Sequence, residues 1–186
     1  ALGLLVYEFF VYGWHRALHS NAVLWRVFHQ MHHSAERLDT YGAFWFSPAD
    51  MAAFTLLASL ALTLVLGVSV EAATWVLYTT FFLAVFQHAN IRTPRWLGYV
   101  VQRPESHSRH HGKGIHRDNY SDLPLFDILF GTFHNPPAHR DNGFYLGASG
   151  RVLDMLLLRD VSRPRAANKH GLTPEQWNAA QRSATE

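Results

Sequence analysis

The sequence predicts an all-α, integral-membrane fold in which a transmembrane helical hairpin carries a helical cap on one side of the bilayer. Three observations predict it. Two long apolar runs follow one another with a single glutamate between them. Charged residues make up 16% of the 186 residues, against roughly 25% in soluble domains. The histidines, thirteen in all, gather mostly in tight blocks at the ends of the apolar runs.

Taken in order, the opening "ALGLLVYEFFVYGWHRALHS" reads as the end of a membrane helix that runs on into His15 and His19. It begins inside an apolar stretch without a methionine, so we expect an N-terminally truncated fragment that lacks upstream membrane helices. Residues 51–70, "MAAFTLLASLALTLVLGVSV", carry no charge. About 20 such residues in a helix span a roughly 30 Å hydrocarbon core. Glu71 should turn the chain at the far face, and residues 72–89 return it. Two helices buried in a soluble core would show the same runs, but a chain this short has little protein to wrap them. Cations such as Arg16, Arg26, Arg37, Arg92 and Arg95 flank the hairpin on one side, which the positive-inside rule places in the cytoplasm. After residues 131–137, "GTFHNPP", the chain turns polar, and Pro, Gly and Asn mark loops. Residues 151–160 suggest a short amphipathic helix. "TPEQW" suggests another helix start, with Thr173 as cap, Pro174 in the first turn and Gln176 closing a capping box. The expected division is a membrane-embedded domain over 1–135 and a polar tail over 136–186.

Composition excludes several functions. Without cysteine there are no disulfides, no thiolate zinc site and no built-in iron–sulfur carrier. The net charge is +2, but Lys113 and Lys169 are the only lysines and no basic run appears, so nucleic acid is not an expected partner. No Gly-x-Gly-x-x-Gly fingerprint marks a nucleotide.

The blocks are "HRALH" (His15, His19), "HQMHHS" (His29, His32, His33) and "HSRHH" (His107, His110, His111). Helical residues three and four apart share a face, so each block presents its imidazoles together. One such pair arises readily by chance; three blocks, two with the same H-x-x-H-H spacing, do not. Imidazole suits zinc, copper, iron and nickel. Eight donors exceed what one ion with an open position needs, and packing that many imidazoles without a metal is costly. A two-metal centre in the cap is the economical reading. His88 in "FQHAN" is either an interfacial, hydrogen-bonded residue or a further ligand. His116 is either a ligand or a residue supporting the ligands or the substrate pocket. His134, His139 and His170 fit no spacing. Trp14, Trp25, Phe44, Trp45 and Phe46 fit interface anchoring first and a lipid channel second.

The segments "HRALH", "WRVFHQMHHSAE", "FQHAN", "PESHSRHHGKGIHRDNY" and "FDILFGTF" resemble, in order, the fatty acid hydroxylase/sterol desaturase family of integral-membrane di-iron oxygenases. The resemblance runs from about Tyr7 to Phe133. It implies a cytosolic helical cap holding two irons, with zinc possible in preparations, through His15, His19, His29, His32, His33, His107, His110 and His111, with His88 as the ninth ligand. O2 is then the co-substrate, and a lipid C–H bond of a fatty acyl, sterol or other isoprenoid chain is hydroxylated or desaturated. The chain departs from the family in reading "NYS" for Asn-Tyr-Gly and "FD" for Trp-Asp, and in having one histidine in its central block. His116, Asp118, Asn119 and Asp127 are candidates to hydrogen-bond ligand imidazoles; the two aspartates and the asparagine serve equally well as caps of backbone amides. Electrons must come from a separate donor of cytochrome b5 or ferredoxin/reductase type. The similarity of "GTFHNP" to bacterial members favours the bacterial inner membrane over the endoplasmic reticulum. The competing readings are a zinc-dependent membrane hydrolase, which lacks a glutamate inside any histidine block, and a non-catalytic metal-binding protein.

Overall fold

The computed structural model describes residues 1–164, so the helix start expected at Thr173 and His170 lie outside the described residues. The described chain is helical, with no strand and a single isolated bridge between Gly112 and Asn142. Helix α1 spans Leu2–Ser20. Asn21 breaks it in an extended conformation, and its side chain accepts from the amides of Val23 and Leu24. One residue thus ends α1 and caps the next helical run, as short polar side chains do at N-caps. That run, α2, joins Ala22–Leu24, a π-helical turn over Trp25–His29 and Gln30–His33.

The hairpin follows. Its first span, α3, is Pro48–Ser59 continued by a π-helical stretch over Leu60–Val65. Ser47 caps it and Pro48 occupies the first turn. Its second span, α4, is Val70–His88, capped by Ser69. The turn is therefore residues 66–69 and not Glu71. Gly67 takes a φ of 56° there, a left-handed conformation that favours glycine. Glu71 instead sits in the first turn of α4, where the helix dipole favours an acid. Each span is long and apolar enough to cross a membrane, and only 22% of each is buried. Leu64, Trp75, Tyr78 and Phe82 are largely exposed, which suits lipid and not water. Helix α1 packs across the hairpin, Tyr7 and Val11 against Ala58, Ala61, Leu62 and Val76. The small Ala58 and Ala61 let the backbones approach.

The cap lies at the open end of the hairpin. It comprises α2, α5 (Pro104–His110), α6 (Leu125–Leu129) and the short α7 (Val152–Leu156). The expected helix within 151–160 forms over those five residues, and Met155 packs with Met31, Phe144, Ala148 and Val161. Gln30 ties the same segment to α2: its amide donates to the Arg159 carbonyl, and its oxygen accepts from the Val161 amide.

Between α4 and α5, Arg103 fixes the chain's return. It is 1% exposed. It pairs with Glu105 at 3.0 Å and donates to the Thr93 hydroxyl and carbonyl. Glu105 in turn accepts from the Thr93 amide and hydroxyl. Removing one partner of a buried pair costs about 3–5 kcal/mol because the other is left uncompensated. Arg103→Met should therefore lower the thermal midpoint of detergent-solubilised protein markedly, and unfolding followed by circular dichroism checks it. An unchanged midpoint would show that the Glu105–Thr93 contacts alone hold the segment.

Candidate metal centre

Nine histidines converge where α1, α2, α4 and α5 meet. They form two groups: His15, His19, His29, His33 and His110 in one, and His32, His88, His107 and His111 in the other. Within each group, one nitrogen per residue lies within 4.8 Å of one from every other member. The two H-x-x-H-H motifs are interlocked. From the first, His29 and His33 enter the five-membered group and His32 the other. From the second, His107 and His111 enter the four-membered group and His110 the other. Successive helical residues diverge by about 100°, so adjacent histidines address different groups while residues four apart address the same one. His33 and His111 stack between the groups with centroids 4.0 Å apart.

In the five-histidine group every Nδ1 is engaged. His15 donates to the Tyr120 carbonyl (2.7 Å), His19 to the His116 carbonyl (2.8 Å) and His110 to the Asp118 carbonyl (2.6 Å). Carbonyls 116, 118 and 120 come from one loop, at alternate residues. His116, Asp118 and Asn119 take φ values of 44°, 70° and 51°, a region that histidine, aspartate and asparagine tolerate better than most residues. His29 Nδ1 donates to Asp50 Oδ2 at 2.8 Å. His33 Nδ1 faces His116 Nδ1 at 3.1 Å.

The carbonyl and carboxylate bonds orient the tautomers of His15, His19, His29 and His110. A carbonyl or carboxylate can only accept, so its imidazole carries the proton on Nδ1 and turns a bare lone pair on Nε2 inward. His19, His33 and His110 have buried, unpartnered Nε2 atoms. With both rings in that tautomer, His15 and His29 set two bare nitrogens 2.9 Å apart. That arrangement is repulsive alone and becomes attractive around a cation. The residues therefore fit a metal, and the hydrogen bonds behind them orient the donors as metal-ligating histidines require.

The four-histidine group is held more loosely. His88 Nδ1 donates to the Ala84 carbonyl at 2.7 Å. Gln102 abuts His107 Nδ1 at 3.3 Å, but its amide nitrogen also has the Gln87 oxygen at 2.8 Å and the Asn119 carbonyl at 3.1 Å as better acceptors. His32 Nδ1 is buried without a partner. His107 Nε2 lies 3.0 Å from both His88 Nε2 and His111 Nε2.

Two cavities approach the groups from different sides. An apolar one of about 440 Å³ runs between α1, α3 and α4 and ends on His15, His29, His32, His88 and His107. Phe44 and Phe46 line it, so these two expected interface anchors face the channel. The other lies beside His19, Trp25, Lys113 and His116.

The polar candidates behave differently from one another. Asp118 acts through its backbone, while its carboxylate pairs with Arg109 and His134. Asp127 touches no imidazole. It accepts from the Tyr120 and Ser121 amides and from the Ser121 and Thr132 hydroxyls, and so fixes the loop whose carbonyls hold the imidazoles. Asn119 joins that loop to Ser106 and His134. His116 contributes both its carbonyl and its ring. His134 and His139 lie outside both groups. Asp50 was not visible as a partner of His29, because "SPAD" reads as an ordinary helix start.

The sequence model described as "Fatty acid hydroxylase" matches residues 1–132. The chain belongs to the fatty acid hydroxylase family. It is also 35% identical over 156 residues to "Ornithine lipid hydroxylase OlsE" from Rhizobium tropici, a match that covers 81% of this chain and 46% of that protein. The chain thus spans about half the length of that relative. No solved structure matches it significantly.

Three outcomes follow from the geometry. Hydrogen-bonded partners behind a ligand typically contribute 10–100-fold in metal affinity, so Asp50→Asn should weaken metal binding at the five-histidine group by about that factor in chelator competition. A time course with a chelator should be biphasic, with the looser four-histidine group emptying first, and His88→Ala should delete the fast phase. The third concerns pH. Burial first, then repulsion from neighbouring imidazoles, holds His32, His33, His107, His110 and His111 well below the ordinary value of 6.5. Unfolded, these groups take up protons below that pH while the folded metal-free site resists them. The unfolded state then binds more protons and stability falls as pH falls. The thermal midpoint of chelated protein should drop between about pH 7 and about pH 5, and a flat profile would contradict a neutral, buried cluster.

Proposed function

We propose that the chain is the metal-bearing core of a membrane hydroxylase that inserts oxygen into a lipid C–H bond, using two irons, O2 and electrons from a separate donor. The observation that carries this reading is the apolar cavity that leads from between the membrane spans onto members of both histidine groups. When bound, the irons supply the oxidising chemistry for which imidazole-rich sites are suited. The protein's own residues do the rest. Phe46, Phe54, Leu62 and Leu77 line a path for an aliphatic chain and keep water from it. The Nδ1 hydrogen bonds fix which nitrogen of each imidazole meets the metal. Both histidine groups offer imidazole alone, whereas several hydrolytic zinc sites include a carboxylate among their ligands.

Hydroxylation is preferred to desaturation because both the family description and the named relative are hydroxylases. An ornithine lipid is the first substrate to test, on the strength of that relative. The donor is of cytochrome b5 or ferredoxin/reductase type, since the chain has no cysteine for a cluster of its own. We place the histidine groups on the cytoplasmic side of a bacterial inner membrane, because the arginines flank the cap end while the turn at 66–69 is uncharged.

The test is metal content of anaerobically purified, detergent-solubilised protein with Mössbauer spectra after iron-57 growth, followed by incubation with ornithine lipid, reductant and 18O2. About two irons per chain, lost in a His32→Ala/His110→Ala variant, and a product heavier by one 18O are expected. Zinc that persists in iron-rich growth with no iron bound would sink the proposal in favour of the hydrolase. No stoichiometric metal would sink both.

A further inference from the structure

The apolar cavity contains one carboxylate, Asp122, and the fold has gone to some length to hold it there. Its amide donates to Glu8 Oε2 at 2.9 Å, its carbonyl accepts from the Gln102 amide at 2.7 Å, and its Oδ1 accepts from Gln87 Nε2 at 2.8 Å. Gln87 is oriented in turn by Gln102. Asp122 is thus gripped at its backbone and at one carboxylate oxygen. Its Oδ2 accepts nothing from the described residues, and it is not among their sealed, unpartnered atoms. It is an accessible acceptor in a residue that lines the cavity.

Behind it lies a second carboxylate, Glu8, whose Oε2 accepts from the Asp122 and Leu123 amides. Glu8 is 0% exposed and its Oε1 is buried and unpartnered. No salt bridge reaches either acid among the described residues. Burial pushes the Asp122 carboxyl above its ordinary value, opposed by the Gln87 hydrogen bond. An ionised acid lining an apolar cavity, with a second buried acid behind it and no cation beside either, is costly, unless a ligand supplies the cation.

The position fixes where that ligand would lie. Gln87 precedes His88, a member of the four-histidine group, and both line the cavity with Asp122. The spans run away from this end, so Leu62 and Ala73 line the far part of the same cavity. We infer that Asp122, backed by Glu8, receives a cationic, hydrogen-bond-donating group of the lipid, an ammonium, at the histidine end of the cavity. The carbons next to that ammonium then lie nearest the metals, and the aliphatic remainder extends between the spans. This rests on the hydroxylase reading for its meaning, but the binding it describes can be measured apart from turnover.

The probes are dodecylammonium, dodecanol and dodecanoate, titrated into the full chain in detergent micelles by calorimetry, with micelles alone as the blank. A charged hydrogen bond lost from a dry site should cost on the order of tenfold or more. Wild-type protein should bind the ammonium at least about tenfold more tightly than the alcohol, and the carboxylate most weakly. Asp122→Asn, which keeps the oxygen that Gln87 needs, should abolish most of the ammonium preference and leave dodecanol affinity and metal content unchanged. Equal affinity of the wild-type chain for ammonium and alcohol overturns the inference without recourse to any variant. So does an Asp122→Asn protein that keeps the preference. If the preference is present but no iron is bound, the hydroxylase reading fails and this one stands. If iron and turnover are present without the preference, only this one fails.

Discussion

Nine imidazoles crowd into one largely buried space, and much of the cap exists to make that tolerable. Left alone, such a cluster would either take up protons and repel itself or lose its buried polar atoms to no partner. The fold prevents the first by burial and restrains the second by giving each outer nitrogen of the five-histidine group something to hold. What remains is a set of inward-facing acceptors that only a cation satisfies. The helical cap, the strained loop and the buried Asp127 are all means of maintaining that arrangement.

The interlocking of the two H-x-x-H-H motifs has a structural consequence. Because each motif sends two histidines to one group and one to the other, neither group is complete unless α2 and α5 are both in place. Helix α2 reaches its position through a π-helical turn that ends at His29, where Gln30 donates to the Trp25 carbonyl five residues back. Such turns are rare and often accompany functional sites. Here the widened turn lies between the Asn21 cap and the H-x-x-H-H block, so the residues ahead of the block do not share its rotation on an ideal helix.

The architecture was legible in the sequence because its signals are periodic and compositional. Uncharged runs gave the spans to within a few residues, and the repeated spacing gave the histidine blocks. The turn between the spans falls on Gly67 and Ser69 and not on Glu71, because a left-handed φ and a helix cap, not a charge, reverse the chain. The supporting atoms were hidden for a different reason. Carbonyls 116, 118 and 120 belong to the backbone, which has no signature in the residue names, and Asp127 reaches them only through the amides and hydroxyls it organises. Asp50 and Asp122 were hidden because "SPAD" and "YSDLP" read as ordinary cap and turn. Their environments come from residues far along the chain, Asp50 meeting His29 and Asp122 meeting Glu8 and Gln87.

The two groups are unequal in a way that suits a division of labour. Among the four loosely held histidines, His32, His88 and His107 border the apolar cavity, while none borders the cavity beside Lys113. The five-histidine group touches both, through His15 and His29 on one side and His19 on the other. Its donors are fixed by carbonyls and a carboxylate, so its geometry resists change. Ligands that are less constrained can shift when a substrate arrives, whereas rigid ones preserve the frame against which that shift occurs. In the proposed reaction, lipid enters along the apolar cavity, where three of its histidine neighbours belong to the group whose donors are free to adjust. A centre built from one residue type thus acquires two different sites purely from what stands behind each imidazole.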